Sequence, residues 1–102
     1  MYLVQLLLPL FDNEGEALPA EHCRAVMAEL TERFGGLTAF TRAPAEGAWR
    51  EADQPTRHDD IIVIEVMVDA LDRPWWTHYR QKLERLLRQR MIVIRVQPME
   101  LL

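Results

Sequence analysis

The chain reads as an α+β protein of ferredoxin-like order, β-α-β-β-α-β, with a four-stranded antiparallel sheet and two helices on one face. Three observations carry this reading. Two aliphatic runs, residues 61–68 and 91–96, bracket an amphipathic segment that opens Asp72-Arg73-Pro74-Trp75-Trp76. A second amphipathic segment follows an aliphatic run at the start of the chain and closes on Gly35-Gly36. Directly after those glycines comes a short run rich in β-branched and aromatic side chains.

Each element has its own justification. Residues 2–9 alternate, with Val4, Leu6 and Leu8 on one face and Leu3, Gln5 and Leu7 on the other. Pro9 ends that strand because proline donates nothing to a ladder. Residues 11–18 form a loop, with Asp12-Asn13-Glu14-Gly15 as turn chemistry. Pro19 suits the first turn of a helix and Glu21 its positive end. Cys23, Val26, Met27, Leu30 and Phe34 then share one arc at helical spacing. Gly35-Gly36 stops the helix by tolerating a left-handed C-cap.

Residues 37–42 are the second strand. Residues 43–60 read as a long loop punctuated by Pro44, Gly47 and Pro55, with Trp49 on a short strand or pinning the loop to the body. Loops of that length are often functional. Residues 61–68 are the third strand. Asp72 is a suitable N-cap, with Pro74 just inside the second helix. Trp75, Trp76, Tyr79, Leu83, Leu86 and Leu87 form its core stripe, while Arg80, Lys82, Arg85 and Arg88 face solvent. Residues 91–97 alternate again as the last strand.

Composition narrows the class. At 102 residues the expectation is a single domain over 1–102, long enough to bury one real core. Apolar residues at 49% and charged residues at 27% are the balance of a folded globular protein. The single cysteine, Cys23, leaves no internal disulfide and suggests a reducing compartment. No basic start leads into an apolar stretch with a cleavage site, and no apolar run approaches the roughly 20 residues of a membrane span. The expectation is a soluble cytoplasmic protein without a membrane partner.

The net charge of −4 is unevenly spread: residues 1–72 carry 14 acids and 5 bases, residues 73–102 carry 2 acids and 7 bases. Two complementary faces, within one fold or across a dimer, explain this better than a phosphate-binding face on a net acidic chain.

The face of the sheet away from the helices is where function would sit. The expected strand order places Leu3, Gln5, Leu7, Thr38, Phe40, Arg42, Ile61, Val63, Glu65, Met67, Val93, Arg95 and Gln97 there. That surface is too apolar for water and too polar for an ordinary core. Two compatible explanations stand: a homodimer packed sheet to sheet, or a small-molecule pocket with an apolar wall and a centre of Gln5, Glu65 and Arg95. Gln5 would stand between Glu65 and Arg95, bridging them in a satisfiable network. The structural reading is a self-neutralising pair that fixes register. The functional reading makes Glu65 a general base and Arg95 the anchor of an anionic substrate.

Other residues point less directly. His58-Asp59-Asp60 resembles a ligand cluster, but neighbours on a strand point to opposite faces, so no metal site is expected. Cys23 falls on the apolar arc and His22 off it, which opposes a Cys–His nucleophile. His78 lies on the polar side of its helix. Trp75 and Trp76 anchor the core better than they stack on bases, and no RNA-binding strand pattern accompanies the helix arginines, so nucleic acid is not an expected partner. Arg42, Trp49 and Arg50 flank the uncertain loop. They suit either a dimer contact or a lid over the open face.

Phe34-Gly35-Gly36-Leu37-Thr38, followed by Gly47-Ala48-Trp49-Arg50 and an aliphatic strand, resembles a family of small uncharacterised bacterial proteins with a Phe-x-Gly-Leu-Thr turn and a Gly-x-Trp step. The resemblance covers roughly residues 34–68. It implies a ferredoxin-like fold and no established activity. More loosely, the architecture is similar to dimeric α+β barrels, which include cofactor-independent monooxygenases and small isomerases. Tautomerases with an N-terminal proline are not expected as a close match, because Tyr2 follows Met1.

Three functional readings follow. The first is a homodimeric binding or accessory protein. The second is a small cofactor-independent enzyme of the dimeric-barrel type, using Glu65, Arg95 and His58 beneath the 43–60 loop. The third and weaker one is an anion or nucleic-acid binder using the basic second helix. No cofactor is implied by any of them.

Overall fold

The structure is a computed structural model that describes residues 1–49 and 57–102, the side chains at 42–47, 49 and 57–59 excepted. Its elements run β1 (Tyr2–Pro9), α1 (Ala20–Phe34), β2 (Thr38–Trp49), β3 (Arg57–Val68), α2 (Arg73–Leu86) and β4 (Val93–Pro98). The sheet order is β2-β3-β1-β4, with every neighbouring pair antiparallel. This is the ferredoxin-like α+β arrangement that the sequence predicts.

The core follows from the strand alternation. Val4, Leu6 and Leu8 of β1 and Ile62, Ile64, Val66 and Val68 of β3 are all buried on the helix side. Val26 and Leu30 of α1 and Trp76, Tyr79 and Leu83 of α2 cover them, with Leu87 just beyond α2. The two helices meet at an aromatic cluster. Phe34, the last residue of α1, stacks on Trp76 with ring centroids 5.2 Å apart and meets Trp75 edge-on at 5.4 Å. Arg33 lies 4.1 Å over the Trp75 ring. The α1 stop is therefore tied to packing: Gly35 adopts φ +84° and returns its N–H to the Thr31 carbonyl, which leaves Phe34 on α2.

Caps fix the helix starts. The Asp72 carboxylate accepts the Trp75 N–H at 3.2 Å, and Pro74 sits in the first turn of α2. Pro19 is itself the N-cap of α1 rather than its first helical residue, and it supplies no side-chain cap.

Three expectations are corrected. The first concerns residues 43–60. Residues 43–49 and 57–60 are strand, because β2 and β3 continue their ladder from Ala45↔Ile61 to Trp49↔Arg57. An irregularity between Phe40 and Ala45 absorbs Pro44. Proline is tolerated there because β2 is an edge strand, where a missing donor faces no neighbour. The second concerns Leu86, which is 37% exposed and off the core stripe. The third concerns β4, which begins at Val93 rather than Met91. Ile92 is buried, but its N–H goes to the Glu84 carboxylate at 2.9 Å and not to a ladder.

The acidic and basic parts of the sequence pair with each other. Lys82 of α2 reaches Glu29 of α1 at 3.1 Å, and Arg88 reaches the buried Asp12 at 2.9 Å. Among the described residues no helix is long and apolar enough to cross a membrane.

Candidate functional site

The open face of the sheet is built in three rows, which the strand register sets. The central row is Thr38, Glu65, Gln5 and Arg95, each opposite the next on neighbouring strands. One side of it is flanked by Phe40, Val63, Leu7 and Val93, the other by Met67, Leu3 and Gln97. Phe40 at 51%, Met67 at 53% and Val93 at 38% exposure make the flanks apolar surface rather than core.

Within the central row Gln5 Nε2 donates to Glu65 Oε2 at 2.7 Å. That bond is half of the expected network. Arg95 stands opposite Gln5 but is exposed, with no hydrogen-bond or ion-pair partner among the described residues. Its place on the edge strand β4 explains this: no further strand offers it an acceptor, and the Gln5 amide donates toward β3. The row thus presents a carboxylate held at one oxygen, an amide and an exposed guanidinium.

The remaining candidates are not all brought together. His58 lies on β3 seven residues from Glu65, about 23 Å along an extended strand, so the backbone does not place it beside Glu65 and Arg95. Its side chain, and those of Arg42 and Trp49, lie outside the described residues, as does Arg50 altogether. The backbone of Trp49 is a ladder partner of Arg57, at the far end of the β2–β3 arm.

His22 and Cys23 are closer to each other's surroundings than their helical phase suggests. Both line a small cavity of about 40 Å³ under the β1–α1 connection, with Leu8, Pro19, Val26 and Leu87 among its walls. His22 Nδ1 is buried with no partner among the described residues. Burial pushes the Cys23 thiol above its ordinary pKa, against a small opposing pull from Arg24. A shift in that direction disfavours the thiolate that nucleophilic attack requires.

On the helix side, between α2 and β4, lies a cleft of about 150 Å³. Arg73, Thr77 and Arg80 line it from α2 and Ile94 and Val96 from β4, with Trp76 behind. Helical phase in the sequence sends the α2 arginines to solvent and gives no hint of this cleft. The available signal is the i, i+4, i+7 spacing of Arg73, Thr77 and Arg80, which puts all three on one helical face.

The fold and site define a ferredoxin-like α+β protein with an uncovered sheet face. No protein-family model matches the chain, and no curated protein matches it. Among solved structures the chain is similar to a phage SAM lyase in two states. The complex with S-methyl-5'-thioadenosine gives a TM-score of 0.60 and the apo state 0.63, both at 12% identity over 94% of this chain. The matches span 79% and 78% of the lyase chain. At that identity the likeness is one of fold.

Proposed function

We propose that the chain is a binding or accessory protein that works as a homodimer and holds a small molecule against the open face of its sheet. The observation that carries this reading is the central row, in which a part-bonded Glu65 and an exposed Arg95 stand between apolar flanks. Exposed Phe40 and Val93 on one side of the polar row and Met67 on the other favour a covering partner, since large apolar side chains grouped on one face are seldom all left to water. Gln5, Glu65 and Arg95 give that interface a polar centre, able to accept from and donate to a ligand. The likeness to a lyase solved with S-methyl-5'-thioadenosine supports a small ligand on this architecture and suggests that compound as the first probe.

Calorimetric titration with S-methyl-5'-thioadenosine tests the reading. Saturable binding that weakens about tenfold in Arg95→Gln supports it. Binding unchanged by Arg95→Gln and Glu65→Gln places the ligand elsewhere.

A second reading is an enzyme of the dimeric-barrel type, with Glu65 as general base. It is favoured by the Gln5 bond, which fixes one carboxylate oxygen and leaves the other to meet a substrate proton. Glu65→Gln separates the two readings. A base role predicts an intact dimer without turnover; a register role predicts a weakened dimer.

A further inference from the structure

The cleft between α2 and β4 is independent of the open face, on the other side of the sheet. It exists because α2 leaves the edge strand partly uncovered. Val96 is the register partner of Val4, which is 1% exposed, yet Val96 itself is 40% exposed. The side chains that should close the core over Val96 are Arg73, Thr77 and Arg80. Polar residues on the helical face over an aliphatic strand do not seal it. They leave an apolar floor, of Trp76, Ile94 and Val96, beneath a cationic rim.

The charge on the rim is only partly consumed locally. Arg73 has no ion-pair or hydrogen-bond partner among the described residues. Arg80 gives one donor to Glu84 at 2.9 Å, and a guanidinium has five. Glu84 is also engaged by the Ile92 N–H, and Asp72 is engaged as the α2 N-cap. Arg73, the remaining donors of Arg80 and Thr77 therefore line a cleft beside two acids, Glu84 and Asp72, each already bonded through one oxygen. A volume of about 150 Å³ takes a body the size of benzene. A fully hydrated ion such as phosphate would waste the apolar floor.

We infer that this cleft is a binding site for a small apolar carboxylate, its ring or short chain on Trp76, Ile94 and Val96 and its carboxylate between Arg73 and Arg80. Guanidinium groups suit a planar carboxylate because their paired donors match its two oxygens.

The test is a nuclear magnetic resonance titration of the isotope-labelled full chain with benzoate, and with benzyl alcohol as the neutral control. The expected result is saturable one-to-one shifts at the Trp76 indole and at the Thr77 and Val96 amides, with benzoate bound about tenfold more tightly than the alcohol. In the double variant Arg73→Gln, Arg80→Gln, that preference disappears. Both positions are at least partly solvent-exposed, and glutamine can still bond Glu84, so the fold is retained. Val96→Trp, which fills the cleft, abolishes both sets of shifts. Equal affinity for acid and alcohol overturns the inference, as does persistence of the preference in the double variant. Shifts confined to Phe40, Val63 and Val93 also overturn it, and would move the carboxylate to the open face.

Discussion

At Asp12 one carboxylate closes the turn after β1 and ties it to the far end of the chain. Oδ1 accepts the N–H groups of Glu14 and Glu16 at 2.8 and 2.9 Å, while Oδ2 meets Arg88 at 2.9 Å. The Glu16 N–H bond holds its pKa below the ordinary 3.8; partial desolvation opposes this, and the Glu14 bond and Arg88 reinforce it. A depressed folded-state pKa gives stability that is present above the unfolded value and lost as pH falls through the folded one. Acid titration of thermal stability should therefore show wild type ahead of Asp12→Asn at neutral pH, with the gap closing below about pH 4. A constant gap would mean the charge contributes nothing. At Gly35, φ of +84° is a left-handed conformation, so Gly35→Ala should lower stability by about 1–2 kcal/mol in urea unfolding. The two residues differ in how far the sequence exposed them. Gly35 was legible as a helix stop, because a glycine pair at the end of an apolar arc has a local cause. Asp12 was legible only as a turn residue. Its bond to Arg88 spans most of the chain and leaves no periodic trace.

Helix α2 closes the helix side of the molecule, because it buries Trp76 against Phe34 and adds Tyr79 and Leu83 to the core. Trp76→Ala should cost about 3–5 kcal/mol in denaturant unfolding, the range for truncating a large buried aromatic. Leu86→Ala, at a position 37% exposed, should stay within about 0.5 kcal/mol of wild type in the same experiment. Similar losses for both would mean that Leu86, like Trp76, packs into the core. Periodicity identified both helices, and alternation identified the strands of the sheet. The β2–β3 arm escaped for a physical reason. Pro44 and Gly47 are turn signals in isolation, but an edge strand tolerates proline wherever no neighbour needs a donor, and Gly47 keeps its place in the ladder opposite Asp59. Only the tertiary position of β2 decides between loop and strand, and a single sequence does not carry that position locally. The row Thr38–Glu65–Gln5–Arg95 was legible for the opposite reason. Once the strand order is ferredoxin-like, alternation alone puts Gln5 between Glu65 and Arg95. What alternation does not give is which of the two Gln5 bonds, and the structure answers Glu65.

At the scale of the whole molecule, the uneven charge resolves in part into internal pairs, Lys82 with Glu29 and Arg88 with Asp12. Both pairs lie away from the open sheet face, so they leave its apolar flanks unexplained. A second copy laid on that face accounts for Phe40, Met67 and Val93 together, and gives Arg95 a surface on which to find an acceptor. Light scattering on the purified chain tests this dimer most directly, with the double variant Phe40→Asp, Val93→Asp beside wild type. Both positions are exposed, so the variant keeps the fold of the single chain. The expected solution mass is about twice the 12.0 kDa chain for wild type, falling to the single-chain mass in the variant. A wild-type mass of one chain, or a dimer that the two aspartates leave intact, would contradict the proposed assembly.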